Sequence, residues 1–278
     1  MGSTFFIRSI FRQILATFVP CRSETTLSIV IMKPQIKPIP FFTSLVIFVG
    51  AAMLFLINER VVIPYLDHLG ASQLTLFLTY ISPFALFALA ALYGYRQEGN
   101  PWNWKSLKER FRYKPIKGKM WLWTALFVAI DTASYVLVYK LAYSFVKRIH
   151  DAFPTPEVVT KFMNNGETFA GFDVQGNWWL LGLYLILFVL NVGGEEILWR
   201  GYLWPRQELT HGKYTWIVHG LLWTSFHLFA PYNAIMVLPG ALFMSYITQR
   251  YQNNTLFLIS HATLNGIPFI MLIMNIIG

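Results

Sequence analysis

Seven stretches of mostly apolar residues run along the chain, separated by short polar segments. They cover roughly 41–57, 74–93, 120–143, 178–203, 214–230, 234–249 and 255–277. A helix needs about 20 predominantly apolar residues to cross a bilayer core. The pattern therefore predicts an all-α, polytopic membrane protein of about seven transmembrane helices. The first and sixth stretches fall short of that length. The sixth could be re-entrant, which would invert the sidedness of everything after it. The fourth is long enough to run past two adjacent glutamates. The segment 144–177 is too short and irregular for a domain of its own, and no internal repeat or low-complexity tract interrupts the pattern.

Composition strengthens this picture. Of the 278 residues, 55% are hydrophobic and 13% charged, against roughly 25% charged in a soluble domain. The formal net charge of +9 reads as a topology signal rather than a nucleic-acid footprint, because Lys and Arg collect on the cytoplasmic side of membrane proteins. If seven helices alternate, one side takes the five Lys/Arg of residues 1–40, the eight of 94–119, and Arg200, Arg206, Lys213 and Arg250. The other side takes Arg60, Lys147, Arg148 and Lys161, with Lys140 near that boundary. The N-terminus is therefore expected in the cytoplasm, the C-terminus outside, and the protein in the inner or plasma membrane. Cys21 is the sole cysteine, which excludes an intrachain disulfide and a cysteine-built metal site.

Residues 1–40 read as an N-terminal segment and 41–278 as the helical transmembrane domain. Within the first, Ile7, Ile10, Phe11, Ile14, Leu15 and Phe18 recur at helical spacing around Arg8 and Arg12. That pattern suits a helix lying on a membrane surface or a targeting segment. A start at Met32, with the first 31 residues an upstream extension, fits equally well.

Against the apolar background the polar residues stand out, since a charge at the bilayer centre costs about 2.5 kcal/mol or more. The fourth stretch holds three such charges in GGEEILWRGYLWP: Glu195, Glu196 and Arg200. Glu196 and Arg200 are four apart and can pair across one helical turn. Glu195 points roughly 100° away on an ideal helix and has no local partner. The other polar candidates are Asp131, His219, His227, His261 and Asn265. Asp131 could pair with a later histidine or arginine, cap a helix break, or serve packing alone. His219, near the cytoplasmic end of its stretch, is expected to satisfy itself at water or a carbonyl. His227 lies deeper, with Trp223 one turn earlier on the same face. His261 and Asn265 are four apart and aim the same way. Each of these groups carries a desolvation penalty unless they satisfy one another. At 1.5 Å per residue, Glu195 and His261 lie about 12 and 9 Å from the cytoplasmic side and His227 about 20 Å.

Such a cluster could hydrolyse a peptide bond. That reaction needs a base to activate water and donors to hold the oxyanion. A buried carboxyl suits proton transfer near neutral pH. Ser225 and Ser260 sit one or two residues from a histidine and so on a different face, which makes water the better nucleophile. Glu195, His227 and His261 could instead ligate zinc, with water in a fourth position, although the H-E-x-x-H pattern is absent. The sequence also admits a scaffold without turnover, a proton-coupled carrier using Asp131, Glu195 and the histidines as a relay, and a structural protein whose polar residues join helices. No paired inverted halves favour the carrier.

Three motifs then resemble a known family, the CAAX-processing and bacteriocin-processing intramembrane endopeptidases (the Abi, or type II CAAX prenyl endopeptidase, family). They are E-E-x-x-x-R at Glu195, Glu196 and Arg200, running into Gly201; F-x-x-x-H at Trp223 to His227; and H-x-x-x-N at His261 to Asn265. The similarity covers about 178–270. It implies a helical fold with an intramembrane catalytic cavity and hydrolysis of membrane-associated or prenyl-type peptide substrates. It further implies Glu195 as general base, His227 assisting it, and His261 and Asn265 holding the oxyanion. Glu196, Arg200 and Trp223 become supporting residues. The family was named for metalloproteases, so zinc enters as an option, while a metal-independent glutamate mechanism is favoured for relatives. Trp223 departs from the usual phenylalanine. Non-proteolytic roles in the same family, such as bacteriocin self-immunity, supply the alternative.

Overall fold

The structure is a computed structural model that describes residues 36–278 apart from 142, 164 and 165. The amphipathic stretch of residues 5–19 and the alternative start at Met32 lie outside the described residues. Among the described residues the fold is all-α but for one hairpin of two two-residue strands.

Helix α1 spans Phe41–His68 and is 28 residues long. It exceeds the predicted stretch because Asn58, Glu59 and Arg60 end the apolar run without ending the helix. They lie in a π-helical turn, Asn58–Val62. Pro64, just beyond, has no N–H to give to the previous turn, and the wider hydrogen-bond ring of a π turn accommodates such a break. Asn58 Nδ2 then donates to the Thr79 carbonyl of the next helix at 3.0 Å. Helix α2 (Gln73–Gln97) starts at Ser72, whose hydroxyl accepts from the Thr75 N–H at 3.2 Å, an N-cap satisfying one of the free amides of the first turn. Helix α3 (Trp104–Arg110) is capped the same way by Asn103 at 2.9 Å.

Helices α4 (Lys119–Leu141), α5 (Tyr143–Ala152) and α6 (Glu157–Thr160) follow. Strands β1 (Thr168–Phe169) and β2 (Phe172–Asp173) then pair antiparallel. Their turn places Ala170 and Gly171 at positive φ. Helix α7 runs over residues 180–211. The Gly212–Tyr214 turn leads into α8 (Thr215–Phe226), which ends in a 3-10 turn at His227–Phe229. Helices α9 (Pro231–Tyr251) and α10 (Thr255–Ile277) complete the chain.

Among the described residues four segments are long and apolar enough to cross a membrane: Phe41–His68, Gln73–Gln97, Leu180–Phe229 and Thr255–Ile277. Their most apolar windows are only 28% to 39% buried, so most of that apolar surface faces outward. Leu89, Val189, Ile270 and Met274 are each at least 60% exposed. Water would penalise such a surface by roughly 25 cal/mol per Å², whereas lipid does not. The sixth stretch, considered as re-entrant, forms the single 21-residue helix α9.

Polar contacts sort the connecting segments onto two faces. On one, Arg206 donates to the Lys37 carbonyl and to Glu98, and Arg112 pairs with Glu208 at 2.6 Å. Asn254 donates its backbone N–H to the Arg112 carbonyl. On the other, Arg60 donates to the Phe153 and Pro154 carbonyls, and the Gly176 N–H reaches the Ile276 carbonyl. Residues 36–40 and the segments between α2 and α4, at the end of α7 and between α9 and α10 therefore share the first face.

Candidate active site

Helix α7 widens where its charges lie. Residues Val189–Gly193 and Glu196–Leu203 are π-helical, and the Trp204 N–H reaches the Trp199 carbonyl five residues back. Widened turns of this kind are frequent at functional sites. Gly194 explains part of the local sequence: a Cβ there would collide with the Phe84 carbonyl of α2. The bare glycine lets α2 and α7 approach backbone to backbone, as small residues do in membrane bundles.

The two adjacent glutamates have different surroundings. Glu196 is fully buried, and its Oε1 accepts from Arg200 Nη1 at 3.2 Å and from His261 Nδ1 at 2.9 Å. The local pair predicted from spacing is present, and α10 adds a histidine to it. The Arg200 guanidinium stacks between two rings, 4.2 Å from the Trp223 centroid and 3.6 Å from that of Phe257. Its Nε and Nη2 have no hydrogen-bond partner among the described residues. Aromatic faces attract a cation electrostatically, so the rings stabilise what hydrogen bonds do not. Tyr113, on the loop before α4, senses this group. Burial pushes its hydroxyl up from the ordinary tyrosine range, the Glu196 charge adds to that, and Arg200 opposes it.

Glu195 has a partner that local spacing could not show. Its Oε2 accepts from Trp223 Nε1 of α8 at 3.0 Å. Oε1 is left for other contacts. His227 Nδ1 lies 2.9 Å from the Trp223 carbonyl. A carbonyl only accepts, so Nδ1 carries the proton and Nε2 presents a lone pair in the neutral ring. His261 is oriented similarly by Glu196, again leaving Nε2 free. Asn265 donates one amide N–H to the His261 carbonyl at 3.2 Å and keeps a second. Its backbone carbonyl accepts from the Tyr184 hydroxyl at 2.6 Å.

Glu195, His227, His261 and Asn265 all line one cavity of about 540 Å³. Trp223 lines it as well, while Glu196 and Arg200 stand behind it. The depth mismatch expected for His227 is absorbed by helix placement: the Trp223–Glu195 bond brings α8 level with α7, and His227 opens the 3-10 turn after it. His219 lies off the cavity, fully buried, with Nδ1 on Gln207 Oε1 at 2.6 Å. Asp131 lines the cavity too, with its carboxylate against Gly240 of α9, where any Cβ would collide. It makes no hydrogen bond with a described residue, but its charge is felt by His261 of α10, a later histidine of the kind considered for it.

Zinc does not fit. Among the described residues no three His, Cys, Asp or Glu side chains are grouped to hold a metal ion. Glu195, His227 and His261 share the cavity without forming a ligand set.

Several contributors were not legible in the sequence. Glu59 of α1 lines the cavity because the π turn carries the helix past the apolar run. Asn254 donates from Nδ2 to the Phe111 and Arg200 carbonyls at 2.7 and 2.8 Å, pinning the start of α10 to α7. Both partners lie more than 50 residues away, beyond any local spacing rule.

Residues 177–267 match the family model for type II CAAX prenyl endopeptidase Rce1-like proteins. The match spans α7 to α10, which carry the four grouped polar residues. No curated protein and no solved structure matches the chain. The family match and the four apolar segments indicate an integral membrane protein.

Proposed function

We propose that this protein is an intramembrane endopeptidase hydrolysing a peptide bond of a membrane-associated substrate. The cavity is the catalytic chamber and lies within the bilayer, and seven helices cross it with the N-terminus cytoplasmic. Glu195 is the general base, His227 helps orient the attacking water, and His261 and Asn265 hold the oxyanion. Glu196, Arg200 and Trp223 support them. The observation that carries this reading is that all four groups line one cavity while the Glu196–Arg200 pair stands behind it.

The chemistry follows from the free atoms. Water in the cavity donates one proton to Glu195 Oε1 and a hydrogen bond to His227 Nε2. Its oxygen attacks the scissile carbonyl carbon. The developing oxyanion takes the second Asn265 N–H and a hydrogen on His261 Nε2. The glutamate proton then passes to the leaving nitrogen as the C–N bond breaks, giving a carboxylic acid and an amine. Prealigned donors at the oxyanion and a placed base are the two largest contributions such a site can make.

Cleavage of a membrane-anchored reporter library in cells tests this, with wild type and Glu195→Gln at matched expression. A general base contributes about 10²- to 10⁴-fold, so cleavage should fall by at least the lower figure. Equal cleavage in both would remove Glu195 from the mechanism. A folded wild type that cleaves nothing would favour a scaffold or bacteriocin-immunity role.

A further inference from the structure

The cavity contains more acid than the proposed hydrolysis uses. Glu59 and Asp131 line it together with Glu195, and each is only 9% exposed. They come from α1 and α4, outside the segment that matches the family. Neither has a hydrogen-bond or ion-pair partner among the described residues. The basic side chain next to Glu59 points elsewhere: Arg60 donates to the Phe153 and Pro154 carbonyls.

Other lining groups share this shortage of donors. Asn191 Oδ1 is buried without a partner. Pro268 has no N–H, so the Leu264 carbonyl four residues back lacks its usual helical donor, and both residues line the cavity. No Lys or Arg appears among the lining residues. The basic groups near these acids are the Arg60 guanidinium beside Glu59, turned to the Phe153 and Pro154 carbonyls, and the His227 and His261 rings, whose Nδ1 atoms are committed to Trp223 and Glu196. The walls between are aromatic, including Tyr80, Phe127, Phe229 and Tyr232. Such rings favour a cation over their faces.

Unpaired carboxyls in an apolar cavity destabilise the fold unless something meets them. A donor-rich cation would meet all of these features at once. We propose that the cavity binds an ammonium or guanidinium group of the substrate, a Lys or Arg side chain or an amine, with Glu59 and Asp131 as its counter-charges. This rests on the reading of the cavity as the substrate chamber and gives that substrate a charge. A free carboxylate, such as a peptide C-terminus, is disfavoured at the same place.

Three single-span peptides test the proposal, identical except for one central lysine, norleucine or glutamate. Binding to the full-length protein in lipid nanodiscs is followed by fluorescence anisotropy. The lysine peptide should bind about tenfold tighter than the norleucine peptide, a difference of ~1.4 kcal/mol, and the glutamate peptide weakest. In Glu59→Gln combined with Asp131→Asn the lysine preference should fall to under about threefold, with the unfolding midpoint recorded as a folding control. Equal affinity of lysine and norleucine peptides for wild type, or no binding of any of the three, would overturn it without recourse to the variant. Cleavage of the same peptides is scored separately. Lysine preference without cleavage keeps this proposal and removes the hydrolase reading, whereas cleavage without charge preference does the reverse.

Discussion

Glu195 and Glu196 are adjacent in the chain, yet one faces the cavity and the other is enclosed by Arg200 and His261. The Glu196–Arg200 contact was legible because it spans one turn. The Trp223–Glu195 bond was not, because it joins positions 28 apart on different helices. This bond holds one carboxylate oxygen and leaves the other for water. Trp223→Phe keeps a ring for Arg200 to stack on and removes the N–H together with part of the buried indole. A hydrogen bond to a charged group is worth about 1.5–3 kcal/mol, so we expect kcat/KM to fall at least about tenfold, with a lower unfolding midpoint from the space the smaller ring leaves. An unchanged rate would show that the indole N–H does not position Glu195. The ion pair behind it behaves differently. Breaking a buried pair by removing one member typically costs about 3–5 kcal/mol, and replacing both costs far less. Glu196→Gln and Arg200→Met should each lower the unfolding midpoint strongly, and the double variant by less than their sum. Additive losses would mean that the two do not act as a pair.

Helices α2 and α7 meet at Gly194, and the neighbouring glycine makes a control. A Cβ at Gly194 collides with the Phe84 carbonyl, while one at Gly193 meets nothing within 4 Å. Overpacking costs about 1–3 kcal/mol, so Gly194→Ala should lower the unfolding midpoint and Gly193→Ala should not. Equal effects would place the glycine requirement in backbone conformation rather than helix contact. Apolar periodicity located α2, α4 and α10 within a few residues of their observed spans. It missed the length of α1, because a π turn continues a helix that polarity alone would stop at Asn58. It also could not show that α7 widens around its charges. Backbone hydrogen-bond register is set by packing and by residues such as Pro64, not by hydropathy.

Across the molecule, contacts bring the Lys/Arg-rich segments to one face. Arg206 reaches Lys37 and Glu98, and Arg112 reaches Glu208. If the N-terminus is cytoplasmic, as proposed, single cysteines placed at Lys117 and Lys161 in a Cys21→Ser background should differ in intact cells. An impermeant thiol reagent should label position 161 and spare 117, and the reverse result would invert the topology. Amino-acid order was enough for the membrane class, the helix content, the charge bias and the motif residues. Each of these depends on local composition or on spacing within a turn or two. Packing alone decided that Glu195 meets Trp223, that His261 serves Glu196, and that Glu59 and Asp131 open into the same cavity as the motif residues. Those contacts join helices far apart in the chain, and their geometry depends on the tilt, register and close approach that side-chain shape sets once the helices are assembled.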